Sequence, residues 1–155
     1  MLKGDVSDMT CDIKQTQKSD ISLILELEKQ CFCEPYSQNT LTYFYENDAY
    51  IITCTSDGVP VGYAVLDLAL PDFAEIMRIA VLPENRGKGY ADNLMHSLTV
   101  KAREYKKKKI LLEVRESNIP AISLYKKFGF KTDGVRRNYY KNPNENGILM
   151  SLDLN

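Results

Sequence analysis

Long, almost uninterrupted apolar runs dominate the chain between residues 48 and 82. The segments AYIITCT, VGYAVLDLAL and FAEIMRIAVL are rich in β-branched and aliphatic residues, which favours strands. Asp57 and Gly58 lie between the first two runs and form a dipeptide typical of hairpin turns. The pattern therefore predicts an antiparallel meander that is buried on at least one face.

The segments around this meander show a helical period instead. Before it, TCDIKQ alternates like a strand, DISLILELEKQCF carries an apolar helical stripe, and Ser37 is placed to cap a second, shorter helix. After it, YADNLMHSLTVKAREY and NIPAISLYKKFGF read as helices separated by the short strand KILLEV. FKTDGVRRNYY and GILMSLDL close the chain as strands. A strand-helix-strand-helix order over residues 73–128 predicts an α/β fold with a parallel pair inside a mixed sheet.

Length and composition restrict the classes of protein. A chain of 155 residues predicts one domain over residues 1–155, with about the first eight loosely ordered. The net charge of -1 gives no general attraction to nucleic acid or to an anionic membrane. No apolar run approaches the roughly 18 residues of a membrane span, and the first ten residues lack a signal-peptide core. We therefore expect a cytoplasmic protein that binds neither nucleic acid directly nor a membrane.

The cysteines and the single histidine predict no metal site. The four cysteines show no paired C-x-x-C spacing, and His96 is the one histidine. In a cytosolic setting we expect the four thiols to be reduced and partly buried. The basic run KKKK at 106–109 is interpreted as a solvated helix end, with attraction to ribosomal RNA as the alternative.

The stretch NRGKGYADNL, residues 85–94, is the main candidate for binding chemistry. It joins a predicted strand ending at Leu82 to a predicted helix, so unpaired backbone N–H groups and the helix dipole meet there. Gly87 and Gly89 permit positive φ, and Arg86 and Lys88 add charge. This combination suits a pyrophosphate. The alternative is an ordinary glycine turn, and neither the P-loop nor the Rossmann pattern is present.

The segment RGKGYA, Arg86 to Ala91, resembles the acetyl-CoA pyrophosphate loop of the GNAT N-acetyltransferases, whose pattern is [Q/R]-x-x-G-x-[G/A]. The similarity is strong over about residues 73–154 and weak over the first half of the chain. LEVRxSN, A-I-x-L-Y and RRNYY are marks of the ribosomal-protein-alanine N-acetyltransferases, the RimI type. The resemblance implies a mixed sheet of about seven strands with a splayed parallel pair, flanked by about four helices. It also implies transfer of an acetyl group from acetyl-CoA to the α-amino group of a protein N-terminus, with a ribosomal protein that starts with alanine as the expected substrate.

The resemblance assigns the donor side of the site. The residues expected to contact acetyl-CoA are Ile79, Ala80, Val81, Arg86, Gly87, Lys88, Gly89, Tyr90, Ala91, Asp92 and Asn118. Asn118 has an alternative role as a helix N-cap. Asp92 departs from the family pattern, and its carboxylate is expected to weaken binding of a pyrophosphate at most.

Two residues match the family's proton-transferring groups. An α-amino group has a pKa near 8, so a base must remove its proton before attack on the thioester. Glu113 matches the family's proton acceptor and Tyr125 its donor to the leaving sulfur. From the residues alone, the favoured interpretation of Glu113 is a solvent-facing or Arg115-paired side chain, and that of Tyr125 is a core residue. Direct attack gives the cysteines no catalytic role.

The acceptor side is expected between the first helix-helix loop and the C-terminal strands. Pro35, Tyr36, Tyr139 and Tyr140 are the expected substrate contacts, whereas Glu34 departs from the family pattern. Alternatively, one of the two adjacent tyrosines faces inward, the other outward, and neither touches substrate. Two other functions stay open: acetylation of a small amine such as a polyamine or antibiotic, and non-catalytic binding of acyl-CoA. The sequence does not determine the oligomeric state.

Overall fold

The computed structural model describes residues 11–155, which form seven strands and four α-helices. The strands are β1 (Asp12–Gln15), β2 (Tyr50–Ser56), β3 (Val59–Asp67), β4 (Phe73–Val81), β5 (Lys109–Arg115), β6 (Lys131–Tyr140) and β7 (Glu145–Asp153). The helices are α1 (Ile21–Cys31), α2 (Gln38–Glu46), α3 (Tyr90–Glu104) and α4 (Ile119–Lys127). Short 3-10 turns at Lys18–Asp20 and Pro83–Asn85 precede α1 and the glycine loop. The expectation for residues 1–8 lies outside the described residues.

All seven strands belong to one mixed sheet in the order β1-β2-β3-β4-β5-β7-β6. The predicted meander is confirmed, because β2, β3 and β4 pair antiparallel. Helices α3 and α4 pack against one face of the sheet and α1 and α2 against the other, which gives two apolar clusters. Both faces of β3 are therefore buried, and this explains its continuous apolar run.

The predicted parallel pair is confirmed, and it separates along its length. β4 and β5 pair at Phe73–Lys109, Ala74–Ile110 and Glu75–Leu111. Beyond these pairs, β4 continues beside β3 alone, and β5 continues beside β7. A gap therefore opens between the C-terminal halves of two neighbouring strands. We call this gap the fork.

A β-bulge in β4 reverses the direction of its side chains at the fork. Leu66 of β3 pairs with Ile76, and the preceding Val65 pairs with Arg78, so Met77 is the extra residue. Ile76 packs in the α3/α4 cluster, whereas Met77 packs in the α1/α2 cluster. Because two consecutive residues of a bulge oppose one partner, Met77 and Arg78 both face α1 and α2.

Local signals in the sequence are confirmed at one helix start, one hairpin turn and one helix end, whereas the expectation for the cysteines is wrong. Ser37 Oγ accepts the Thr40 N–H at 3.1 Å, Asp57 and Gly58 both have positive φ, and Gly129 ends α4 with φ of 98°. The cysteines were expected to be reduced, but Cys11 and Cys54 form a disulfide. β1 and β2 pair antiparallel with Cys54 opposite Ile13, and Cys11, two residues before Ile13, lies within bonding distance of Cys54. Cys31 and Cys33 carry free thiols.

Within residues 11–155, no helix is long and apolar enough to cross a bilayer, and no group of three or more His, Cys, Asp or Glu side chains has the arrangement of a metal site.

Candidate active site

A cleft of about 600 Å³ lies where β4 ends and α3 begins. Its lining residues are Cys31, Phe32, Ile79, Ala80, Val81, Asn85, Arg86, Gly87, Gly89, Tyr90, Ala91, Asp92, Asn118, Pro120, Ala121 and Leu124. Every residue expected to contact acetyl-CoA is among them except Lys88. The cleft therefore runs from the unpaired edge of β4 to the N-termini of α3 and α4, which supply partial positive charge.

The glycine loop is shaped as an anion cradle. Gly87 and Gly89 have φ of 79° and 88°, backbone conformations that residues other than glycine adopt only with strain. Arg86 donates its Nε–H to the Val81 carbonyl at 2.9 Å, which fixes the guanidinium beside the cleft. This hydrogen bond does not use the two terminal nitrogens of the guanidinium. The Val81 carbonyl is thereby occupied, so its N–H is the part of that residue available to a ligand. The loop geometry fits a pyrophosphate.

The charge of Asp92 is balanced inside the protein. Its carboxylate accepts a hydrogen bond from Lys127 Nζ at 2.6 Å, across from α3 to α4. Lys127 was not singled out in the sequence, because its partner is 35 residues away. The pair reduces the repulsion that a lone carboxylate would exert on a phosphate.

Asn118 is confirmed as a helix N-cap, and its position also permits the expected contact with acetyl-CoA. Its Oδ1 accepts the Ala121 N–H at 3.3 Å, so it is the N-cap of α4, and it also lines the cleft. The other first-turn N–H groups of α4 are already bonded, because Ile119 donates to the Ser117 carbonyl, Ile122 donates to the Asn118 carbonyl, and Pro120 has no N–H.

Glu113 lies on β5 two residues beyond the last β4–β5 pair. Its Oε1 is 3.4 Å from Arg136 Nη2 on β6, and its Oε2 is buried with no hydrogen-bond partner among residues 11–155. The alternative pairing with Arg115 is wrong, because Arg115 binds Glu145 at 3.1 Å instead. An unpartnered buried carboxylate oxygen is costly, so it marks a place where a proton or a donor group fits.

Tyr125 lies on the other side of the sheet from Glu113. It is only 5% exposed and packs 5.8 Å from the ring of Phe130 in the α3/α4 cluster. Burial, and secondarily the nearby Tyr140 hydroxyl, raise the pKa of Tyr125. The hydroxyl is therefore protonated at neutral pH, as a proton donor must be. Neither Tyr125 nor Glu113 is part of the cleft lining.

Tyr139 and Tyr140 do not alternate across the strand as the alternative interpretation assumed. A carbon atom added at Gly147 would lie 3.3 Å from the Tyr140 ring and 3.4 Å from the Tyr139 ring, so both rings cover this glycine. The cause is an irregular stretch of β6 in which Asn138 has φ of 53°. The rings are 5.0 Å apart, and Arg136 and Arg115 lie over Tyr139 and Tyr140 respectively.

These tyrosines lie close to Glu113 as well as to each other. Gly147 is also 3.5 Å, measured from the same added carbon, from Glu113 Oε2. Burial, together with the charge of Glu113, raises the pKa of Tyr140 to about 12. The hydroxyl of Tyr140 is therefore a neutral hydrogen-bonding group beside the fork at physiological pH.

The loop between α1 and α2 lies beside the fork, on the side opposite to Tyr139 and Tyr140. Tyr36 donates its hydroxyl to the Met77 carbonyl at 3.1 Å, and Pro35 is exposed beside it. Burial raises the pKa of Tyr36, and the Tyr139 hydroxyl contributes to the same shift. Glu34 Oε1 is 4.0 Å from Arg115 Nη2, which brings this loop near β5 and the C-terminal strands. All four expected acceptor residues are thus gathered around the fork.

Three charged residues near the fork were missed in the sequence. Glu28 and Arg78 form a buried ion pair with atoms 2.8 Å apart, and Glu75 faces the same side of the sheet as Glu113. Burial, then the charges of Asp67 and Glu113, raise the pKa of Glu75. A signal was present: Glu28 interrupts the apolar stripe of α1, and Glu75 and Arg78 interrupt an apolar strand.

Comparison with known proteins agrees with this architecture. The family model for the acetyltransferase (GNAT) family matches residues 21–130. The chain belongs to this family and is an acetyl-CoA-dependent N-acetyltransferase.

Three individual proteins of this family are similar to most of the chain. The chain is 32% identical over 146 residues to the [ribosomal protein bS18]-alanine N-acetyltransferase of Haemophilus influenzae, covering 92% of this chain and 98% of the relative. It is 31% identical over 159 residues to an N-alpha-acetyltransferase of Sulfurisphaera tokodaii, covering 92% of each. The crystal structure of the ribosomal-protein-S18-alanine N-acetyltransferase from Escherichia coli superposes with a TM-score of 0.87 at 27% identity, covering 93% of this chain and 94% of the other.

Proposed function

We propose that the protein acetylates the α-amino group of a protein N-terminus, and that its substrate is a ribosomal protein beginning with alanine. The arrangement that carries this proposal is the fork. The donor cleft runs along the free edge of β4, and Glu113 stands on the free edge of β5 with one carboxylate oxygen unpartnered. The names of two relatives that the chain covers over more than nine tenths of their length point to the same class of acceptor.

The cleft residues bind and orient acetyl-CoA in this proposal. N–H groups of residues 87–92 and the Arg86 guanidinium hold the pyrophosphate, and the backbone of residues 79–81 holds the pantetheine arm as an added strand. The thioester is thereby directed into the fork. Asn118 and the first turn of α4 line the opposite side. No metal ion is needed for this chemistry.

Glu113 and Tyr125 move the protons in this proposal. Glu113 takes a proton from the acceptor ammonium, so the nitrogen lone pair becomes available to attack the thioester carbonyl. A C–N bond forms, the C–S bond breaks, and the Tyr125 hydroxyl gives its proton to the departing sulfur. The nitrogen loses its second proton as the amide forms, which replaces the proton that Tyr125 donated.

The walls of the fork suit an extended peptide. Tyr36 and the loop that carries Pro35 form one wall, and Tyr139 and Tyr140 form the other. Their hydroxyl groups offer hydrogen bonds to a peptide backbone, and their rings cover its first side chain. We propose that the enzyme acts in the cytoplasm, where ribosomal proteins are made.

The test compares two peptides of identical sequence that begin with alanine and contain lysine. One has a free α-amine, and in the other the α-amine is blocked while the lysine side chains remain free. Release of CoA from acetyl-CoA is expected with the first peptide alone. Equal turnover of both peptides would overturn the α-amine assignment in favour of lysine side chains. Turnover of a polyamine but of neither peptide would assign the small-amine alternative.

A further inference from the structure

Arg78 occupies an unusual position for a charged residue. It lies in β4 between the bulge at Met77 and the strand residue Ile79 that lines the donor cleft. Its side chain is about one fifth exposed and points toward α1 and α2. A cation in this place must be compensated by specific partners.

Glu28 of α1 is that partner, and it is completely buried. Arg78 donates to it through Nε at 3.0 Å and Nη2 at 2.8 Å, in the planar two-bond arrangement that only arginine can form. Glu28 also accepts the Tyr63 hydroxyl and the Tyr36 N–H, the latter at 2.7 Å. Burial alone would raise the pKa of Glu28, but these hydrogen bonds and the charge of Arg78 outweigh it, so the pKa lies below its ordinary value.

The guanidinium also contacts the loop of residues 32–37 at three points. Its carbon lies 3.6 Å from the ring centre of Phe32 and 4.0 Å from that of Tyr36, on which it stacks. Its Nη2 donates to the Glu34 carbonyl at 3.3 Å. Arg78 therefore contacts three residues of the loop, in addition to the Tyr36–Met77 hydrogen bond and the Glu34–Arg115 contact that also join the loop to the sheet.

This loop reaches both halves of the site. Phe32 lines the donor cleft, and Tyr36 is one wall of the proposed acceptor groove. We infer that Arg78, oriented by Glu28, is the positioning residue that fixes the loop of residues 32–37 as the acceptor wall beside the fork. The inference rests on the proposed function for its acceptor, whereas the role in ordering the loop does not depend on it.

A contribution to stability alone is a different expectation. An ion pair that only stabilises the fold would change the free energy of unfolding and leave the kinetic constants of the folded fraction unaltered. A positioning residue changes the loop itself. Its loss therefore weakens peptide binding more than acetyl-CoA binding, because most of the donor cleft belongs to β4, the glycine loop and the helix N-termini, and Phe32 is the one residue of the loop of residues 32–37 that lines it.

The test uses Arg78→Lys, which keeps the charge and removes the planar fork and the stacking. We expect the peptide KM to rise about tenfold or more, with kcat and the Kd of acetyl-CoA changed about threefold or less. Hydrogen exchange of the Tyr36 amide is expected to accelerate about tenfold, because its acceptor Glu28 loses its orientation. Arg103→Lys, at an exposed site on α3, is the matched control and is expected to behave as the wild type.

The outcomes separate the inference from the proposed function. Unchanged loop exchange, or an unchanged peptide KM in folded Arg78→Lys, would overturn the inference. Lack of peptide turnover by the wild type would overturn the proposed function, and the exchange measurement would still decide the role of Arg78. If Arg78→Lys does not fold, the double variant Glu28→Gln/Arg78→Met removes both charges together and leaves no buried ion unpaired. The same kinetic and exchange changes are expected of it, and their absence overturns the inference.

Discussion

Replacing Glu113 with glutamine probes the proposed base while changing the shape of the site little. The carboxylate has one oxygen 3.4 Å from Arg136 and the other buried without a partner, so glutamine retains an oxygen for Arg136 and loses only the ability to accept the proton. Loss of general base catalysis is worth about 10²–10⁴-fold in turnover. The lost ion pair is half exposed on the Arg136 side and contributes about 1 kcal/mol or less to stability. We therefore expect kcat to fall at least about a hundredfold near pH 7 while the protein stays folded.

The assay is steady-state release of CoA with the free-amine peptide, together with calorimetric binding of acetyl-CoA. The defect should shrink as the pH rises above about 8, since more of the α-amine then arrives without its extra proton. Glu116→Gln is the matched control, because Glu116 is an exposed glutamate one residue beyond the end of the same strand. Turnover of Glu113→Gln within about threefold of the wild type at saturating peptide would refute the reasoning.

Three further outcomes are expected. Tyr125→Phe should lower kcat about a hundredfold or more and leave the affinity for acetyl-CoA unchanged. Because burial raises the pKa of Tyr125, the kcat of the wild type should show no loss from tyrosine ionisation up to about pH 10. A fall in kcat near pH 8 that is absent in Tyr125→Phe would contradict this prediction. Gly62→Ala would place a carbon atom 2.6 Å from the Ala80 carbonyl oxygen. The free energy of unfolding measured in urea should therefore fall by about 1–3 kcal/mol, and calorimetry should show a weaker affinity for acetyl-CoA. Wild-type values of both quantities would refute the predicted clash. The Glu28 carboxylate contributes stability that is present above its ordinary pKa of 4.5 and is lost as the pH falls through its lower pKa in the folded protein. The difference in free energy of unfolding between the wild type and Glu28→Gln should therefore become smaller in acid. If urea unfolding gives the same difference at pH 7 and at about pH 3.5, this linkage is wrong.

Most of the fold could be predicted because its signals are local. Continuous apolar runs separated by Asp57-Gly58 define the meander, and helical periods before and after it define the layers. The cap at Ser37 and the stop at Gly129 depend on neighbouring backbone groups only. The Cys11–Cys54 disulfide was missed because it depends on strand register, which brings together residues 43 apart in sequence.

The site was predictable where a motif occupies one continuous segment. The glycine loop and the start of α3 belong to such a segment, and they line the donor cleft. Contacts between distant segments were not predictable in this way. The pair Asp92–Lys127 joins two helices, and Glu28–Arg78 joins a helix to a strand 50 residues later. The shared face of Tyr139 and Tyr140 depends on the positive φ of Asn138, which overrides the alternation that a regular strand would impose.

Locating the acetyl group on a whole protein substrate tests the central claim most directly. Ribosomal protein bS18 with an N-terminal alanine would be incubated with acetyl-CoA and the enzyme, and the modified position would be read by tandem mass spectrometry. The account predicts acetylation at the α-amino group with the wild type and with Glu116→Gln, and little or none with Glu113→Gln. Acetyl groups on lysine side chains, or equal N-terminal acetylation by Glu113→Gln, would contradict it.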